Sequence, residues 1–411
     1  MINIGIDWSD KSHSICILDE EGLKLSAFKI PHSQQGFEKA HAMITKHAPS
    51  VDQVGIAIET KDSLFVDFLS ELGYTLYFLN PKQTDSFRDR HRMSHSRSDA
   101  FDAYVLADAL RTDRHKFNAL SPLDEQSLLL RVLCRARVNA VRRKASIQNE
   151  LTSAFKRYYP VALELFNSLD HPAAIAFLKR YTSYQLAKGA SHSRIASILT
   201  AHGMAKSAAQ ERARIVKDKL SQPQPVPPAN LLYALTIAVE SLLRQFENAV
   251  LEIQSMEAQI KKLYRDHPNK DIIDSLPGVA DVLGPVITSE LGEDIARYSS
   301  LRTLRAYAGT SPVTVSSGTH RGIHFRRACN QHLRRALHLA AATAIRTCPW
   351  ARELYDRLKA SGKTHGRALR AVADQLVEMI FVMLRRRTPY DEAYHLRMKE
   401  LHGKAKSPCL T

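Results

Sequence analysis

The chain has 411 residues, a formal charge of +16 and a pI near 9.6. That size admits two or three domains, and that charge points to a polyanionic partner and away from a small acidic metabolite. Five scattered cysteines, none in a C-x-x-C pair, exclude a disulfide framework and a zinc knuckle, and fit a reducing cytoplasm.

Residues 1–80 hold six Lys, no Arg and eleven Asp or Glu, net −5, so the rest of the chain carries +21. An acidic module is joined to a basic body. Over the module the sequence predicts a three-strand meander in "INIGIDWS", "SHSICILDEEG" and "KLSAFKI", then the helix "GFEKAHAMITKHA". The apolar strand "VGIAIET", the helix "DSLFVDFLSELG" with its Asp cap and closing Gly, and a last strand in "YTLYFLNP" follow. Continuous apolar strands alternating with helices predict a sheet covered on both faces, and the element order is that of an α/β ribonuclease H-like domain over 1–118. The start "MINIGIDWSD" lacks the regions of a signal peptide, and the longest apolar run, near "LVEMIFVML", is too short for a membrane span.

Residues 119–270 read as a helical and coiled-coil region. A long helix over about 124–158 carries Arg131, Arg135, Arg137, Arg142, Arg143 and Lys144, and residues 160–220 give helical fragments without identifiable chemistry. The prolines of "SQPQPVPPAN" (221–230) break the helix into a linker. After it, Leu232, Leu235, Val239, Leu242, Phe246, Ala249, Ile253, Met256, Ile260 and Leu263 alternate spacings of three and four. This is a heptad seam, which serves equally to pack against 124–158 of its own chain or against a second subunit.

Asp7 closes the first strand and Glu59 the fourth, neighbours in a sheet of this order. In "RSDAFDAYVLADAL", preceded by Arg90, Arg92 and Arg97, Asp99 and Asp102 lie three apart and share a helix face. Four carboxylates in one small volume repel unless cations neutralise them, and all-oxygen donors select hard divalent ions, foremost Mg²⁺ as a pair about 4 Å apart. Singly, each acid reads as well as a cap or a solvated face, Asp99 above all in "SRSD".

Residues 271–411 form a third, mostly α region. "LPGVADVLGPVITSELG" combines a Pro-Gly turn with a helix start, which reads as a phosphate-holding turn or as ordinary packing; Ala280 stands where such turns carry a second glycine. In "AYAGTSPVTVSSGTHRGIHFRRACNQHLRRALHLA" a loop rich in Ser, Thr and Gly lies beside Arg321, Arg326, Arg327, Arg334 and Arg335. Composition makes these serines turn residues and the arginines a nucleic-acid face. Arg385, Arg386 and Arg387 end the last helix, where they suit its dipole.

Together "GIDWSDKSHSICILD", "AIET", "LYFLNP", "RSDAFDAYVLADAL", "LPGVADVLGPVITSELG", "YSSLRTLRAYAGTSPVTVSSG" and "CNQHLRRALHLAA" resemble the DEDD transposases of insertion sequences, relatives of the Piv and MooV DNA invertases. The resemblance runs from residue 2 past residue 390 and implies a RuvC-like domain whose quartet is Asp7, Glu59, Asp99 and Asp102. It implies a serine nucleophile in the pattern Pro, four residues, Ser-Gly, which falls on Ser317, with Ser316 the neighbouring alternate. The family's Gly-Asn-x-x-Leu-Arg reads here as Cys329, Asn330, Gln331, His332, Leu333 and Arg334, losing the glycine. What it implies is a bacterial, nucleoid-associated recombinase that cleaves and rejoins double-stranded DNA with Mg²⁺, as a dimer or tetramer, guided by a structured bridge RNA. Arg135, Arg142, Arg143, Arg321, Arg326, Arg327, Asn330 and Arg334 are the expected nucleic-acid contacts. The rival reading is a RuvC-like nuclease with water as nucleophile, which needs the quartet and not Ser317.

Overall fold

The computed structural model describes the chain except residues 62, 92–97, 118, 120–122, 280, 318–319, 395–396 and 398–411, and the side chains of 316, 317, 320 and 321. Arg92, Arg97, Ala280 and the side chains of Ser316, Ser317 and Arg321 therefore lie outside the described residues. The chain forms two compact units, Met1–Pro122 and Leu123–Thr411.

The first unit contains β1 (Ile2–Trp8), β2 (Ser12–Leu18), β3 (Lys24–Pro31), α1 (Gln34–Thr45), β4 (Val54–Ile58), α2 (Leu64–Glu71), β5 (Thr75–Phe78), α3 (Pro81–His91) and α4 (Asp99–Asp113). The strands form one mixed sheet in the order β3-β2-β1-β4-β5, with β1 antiparallel to β2 and parallel to β4. This arrangement is compatible with the ribonuclease H-like fold expected of a DEDD enzyme.

Side chains alternate across a pleated strand, so each strand feeds two cores. Ile4, Ile6, Ile15, Ile17, Ile56 and Ile58 join Phe37 of α1 and Phe65 of α2 on one face. On the other, Cys16 and Leu18 meet Ala103 and Ala107 of α4, and Ala57 meets Leu106 and Leu110. By the same alternation Gly5, Asp7, Ala57 and Glu59 share the face that α4 covers.

The second unit begins with α5 (Glu125–Tyr158), followed by α6 (Pro172–Arg180), α7 (Tyr184–Lys188), α8 (His192–Ala201), α9 (Lys206–Ser221) and α10 (Ala229–Arg265). It continues through α11 (Lys270–Asp274), α12 (Leu283–Leu291), α13 (Leu301–Ala308), the hairpin β6 (Val313–Ser317) and β7 (His320–His324), α14 (Gln331–Thr347), α15 (Pro349–Ala360) and α16 (His365–Arg386). The expected serine loop is thus a two-stranded hairpin: Val313, Thr314 and Val315 are β-formers whose pull outweighs the surrounding turn residues. Residues 160–220, without a readable pattern, fold as helices α6–α9 around Phe166, Phe177, Ile195 and Val216.

Helix α10 packs along α5 of its own chain. Of the heptad positions Val239, Phe246, Ala249, Ile253 and Ile260 are buried, while Leu243, Val250 and Tyr264 complete the buried face one residue off the strict repeat. Among the described residues no helix is long and apolar enough to cross a membrane.

Candidate active site

Asp99 and Asp102 are brought toward Asp7 by a close approach of helix to strand. A Cβ on Gly5 would stand 1.9 Å from the Ala103 carbonyl oxygen and 2.5 Å from the Ala107 amide, so only glycine lets α4 lie directly on β1. The helix starts where the strand ends, with Ser98 capping it by accepting the Phe101 amide, so Asp99 and Asp102 occupy its first turn beside Asp7. Strand pairing runs parallel to Ile6 opposite Ile58, which sets Asp7 and Glu59 next in register on strands about 4.8 Å apart.

The electrostatics report the same convergence. The Asp7 carboxyl is pushed up to about 6, first by burial, then by the charges of Asp102, Asp99 and Glu59, with Arg88 opposing. Two side-chain cations partly neutralise the group. Arg88 Nε donates to Asp102 Oδ1 at 2.8 Å while another of its nitrogens reaches Asp85, and Lys29 Nζ donates to Asp99 Oδ2 at 2.9 Å. Hydrogen bonding from Lys29 is the main reason that Asp99 is held below the usual carboxylate range. Neither cation was evident from spacing: Lys29 comes from β3 and Arg88 from α3, and only the fold brings them here.

Among the described residues no three His, Cys, Asp or Glu side chains stand close enough to hold a metal ion. Asp99 and Asp102 are turned toward Lys29 and Arg88 instead. The donors still fit a hard divalent ion, because all are carboxylate oxygens and Asp7 stays protonated to an unusual pH through burial and then the charges of Asp102, Asp99 and Glu59.

In the second unit Ser317 closes β6 opposite His320, and Val313 pairs with His324 at the other end of the hairpin. The hairpin is fastened at that other end. Thr310 Oγ1 donates to Asp374 of α16 at 2.7 Å, Arg305 holds Asp374 at 3.1 Å and Glu378 at 2.8 Å, and Arg326 Nε donates to the Ser311 carbonyl at 3.1 Å. Gly309, at φ +71°, turns the chain out of α13 toward β6.

A polar knot joins α5, α12, α13 and the start of α14. Glu290 of α12, 1% exposed, accepts both forks of Arg135 from α5 at 2.9 and 3.0 Å and the Asn330 amide at 2.7 Å. Asn330 Nδ2 also donates to Tyr307 at 2.7 Å, and its Oδ1 caps α14 by accepting the His332 and Leu333 amides, each at 3.0 Å. Burial, the largest influence, pushes Glu290 up, but the hydrogen bonds of Arg135 and Asn330 and the charges of Arg131 and Arg135 outweigh it and leave the carboxyl below its usual range.

Two expected nucleic-acid contacts are therefore spoken for. Both donors and both acceptor positions of the Asn330 amide are used inside the fold, and the Arg135 fork is committed to Glu290. The sequence held one signal of this: Glu290 is the lone acid in an apolar helix, a position that demands a cationic partner. Arg143 pairs with Glu252 at 2.9 Å, both exposed, and Arg142 and Arg327 are exposed.

A DEDD-type IS110 transposase family matches residues 4–160, and the transposase IS116/IS110/IS902 family matches residues 270–356. An IS110 insertion-element protein of Streptomyces coelicolor, itself described as uncharacterized, is 32% identical over 299 residues, 72% of each chain. This chain belongs to the IS110 family of transposases. A mini-circle putative transposase for IS117 from the same organism is 29% identical over 94% of this chain and 95% of its own length. An IS900 protein of Mycobacterium paratuberculosis is 26% identical over 95% and 97%. Membership makes this an insertion-element transposase, a class that acts on DNA, and the first match covers all four acids and Arg135 while the second covers the hairpin, Glu290, Tyr307 and Asn330.

Proposed function

We propose that this chain recombines DNA by joining an acidic, metal-binding site to a serine nucleophile. The convergence of Asp102, Asp99 and Glu59 on Asp7 carries the proposal, because divalent cations can share the charge that Lys29 and Arg88 only partly neutralise. Asp7, Glu59, Asp99 and Asp102 would hold Mg²⁺, with Asp99 and Asp102 exchanging Lys29 and Arg88 for metal. Bound there, Mg²⁺ supplies positive charge to the scissile phosphate and to the leaving sugar oxygen.

Ser317 forms the new bond. Its hydroxyl oxygen attacks phosphorus, its proton passes to solvent or a nearby base, and the sugar oxygen departs with the electrons of the broken P–O bond. The phosphoserine link conserves the phosphodiester energy until a hydroxyl of a second strand displaces the serine. Arg142, Arg143, Arg326, Arg327 and Arg334, with Arg321, serve the nucleic-acid backbone, while Arg135 and Asn330 hold the fold that presents the hairpin. Recombination handles more than one duplex end, which favours a dimer or tetramer, and family resemblance adds a structured guide RNA.

The test is covalent trapping. Wild-type protein with Mg²⁺ and element-end DNA is expected to give a protein–DNA adduct on a denaturing gel that S317A abolishes and S316A leaves intact. Full strand exchange by S317A would instead make water the nucleophile, the behaviour of a RuvC-like nuclease.

A further inference from the structure

At the fastened end of the hairpin, arginines gather around Phe325 that have no carboxylate partner of their own among the described residues. Phe325 follows β7 and is 40% exposed, and two guanidinium groups lie over its ring: Arg334 of α14 at 4.7 Å and Arg370 of α16 at 4.4 Å from the centroid. Elsewhere in this unit Arg135 is matched by Glu290, Arg137 by Glu257 and Arg305 by Asp374 and Glu378. Asp374 stands one turn beyond Arg370 on the same helix, yet it is taken by Arg305 and Thr310. Arg334 uses three of its five N–H donors, on the Arg326 carbonyl, Cys329 and Gln331.

Among the described residues neither Arg334 nor Arg370 has a carboxylate partner, and Arg370 Nε and His338 Nε2 are buried with no hydrogen-bond partner. Arg367, exposed on the same helix, adds a further charge. Arg370 is held below its ordinary value by burial and then by Arg334 and Arg367, and His338 likewise by burial, Arg370 and Arg334. A folded chain keeps like charges together, half out of water, when an anion repays the repulsion.

We propose that Arg334, Arg367 and Arg370, around Phe325 and above His338, form a phosphate site that holds a non-reacting phosphodiester of duplex DNA. Its position separates it from the chemistry. Phe325 lies beyond the Val313–His324 end of the hairpin, about four strand residues or 13 Å from Ser317, against an axial rise of about 3.4 Å per nucleotide in duplex DNA. The phosphate held here is therefore a different one from that at the serine, and the site contributes register and affinity. The proposal rests on the DNA-recombinase reading only for the identity of the polymer.

Full-length protein is titrated with a short labelled DNA duplex across a KCl series. R370Q is expected to weaken binding about tenfold and to reduce the slope of log K against log salt by about one, and R370K to restore the slope with only part of the affinity. Without DNA the thermal midpoint of R370Q is expected to equal or exceed that of wild type, since repulsion is removed. Inorganic phosphate at constant ionic strength is expected to raise the wild-type midpoint and not that of R370Q. Unchanged affinity and slope would overturn the proposal, as would a lowered midpoint with undiminished DNA binding, the mark of a structural arginine. Weakened binding of an RNA duplex alone would overturn the assignment to DNA. Should R370Q not fold, the wild-type phosphate titration decides, and no rise in midpoint rejects the site. Absence of the serine adduct with the salt effect intact would sink the nucleophile and leave this site standing.

Discussion

Asp7 in the first unit and Glu290 in the second are both carboxyls drawn from water into a crowd of ionised groups, with opposite results. Asp7 is raised to about 6 by burial and by three acids, whereas Glu290 is lowered because Arg131, Arg135 and Asn330 outweigh its burial. A carboxylate that lacks positive charge is open to a cation; one that is already satisfied is part of the frame. The difference separates a candidate catalytic group from a structural one within the same residue class.

Charge removal should therefore do opposite things at the two places. D7N is expected to lower DNA cleavage by about 10³-fold or more while leaving the thermal midpoint unchanged or raised, because a repelled charge is lost with the metal ligand. Undiminished cleavage by D7N, measured with Mg²⁺ on element-end DNA, would reduce the quartet to a structural feature. E290A is expected to cost about 3–5 kcal/mol in chemical denaturation, since it strands the Arg135 fork between α5 and α12. A smaller cost than that of an ordinary surface change would show the knot to be dispensable.

The geometric side of the comparison is tested at Gly5. G5A places a methyl group 1.9 Å from the Ala103 carbonyl, so α4 must lift and carry Asp99 and Asp102 away from Asp7. The expected loss is about 1–3 kcal/mol, with a fall in cleavage larger than the stability loss explains. N330A, by comparison, removes a helix cap and two hydrogen bonds to the knot and should cost about 1–3 kcal/mol.

Much of the first unit was legible because its signals are local. Alternating isoleucines in β1, β2 and β4 and a capped apolar helix in "RSDAFDAYVLADAL" predict the elements, and acids at strand ends predict a shared edge. What could not be read were the partners brought from afar, Lys29 and Arg88 on the acids and Glu290 on Asn330, because no periodicity links residues 14, 40 or 70 apart. In the second unit the heptad spacing marks a buried face but not what covers it, and α5 supplies that cover within the chain. Arg135 and Asn330 looked like nucleic-acid contacts for the same reason: an arginine in a sequence carries its charge but not its counter-ion.

The smallest expected effect is also the one that isolates Asp7 most cleanly. With a folded value of about 6 against an ordinary value of 3.8, the native protein retains a proton that the unfolded chain has already released between those limits. Asp7 therefore stabilises the fold toward acid, and that contribution fades as pH rises to about 6. The midpoint of D7N should match wild type below pH 3.8 and exceed it increasingly up to about pH 6, then run parallel. Mg²⁺ should raise the wild-type midpoint above that pH, where the carboxylate is free to bind it, and leave D7N less affected. A pH-independent gap between the two proteins would mean that Asp7 keeps an ordinary acidity, and the repulsion that sets it apart from Glu290 would be absent.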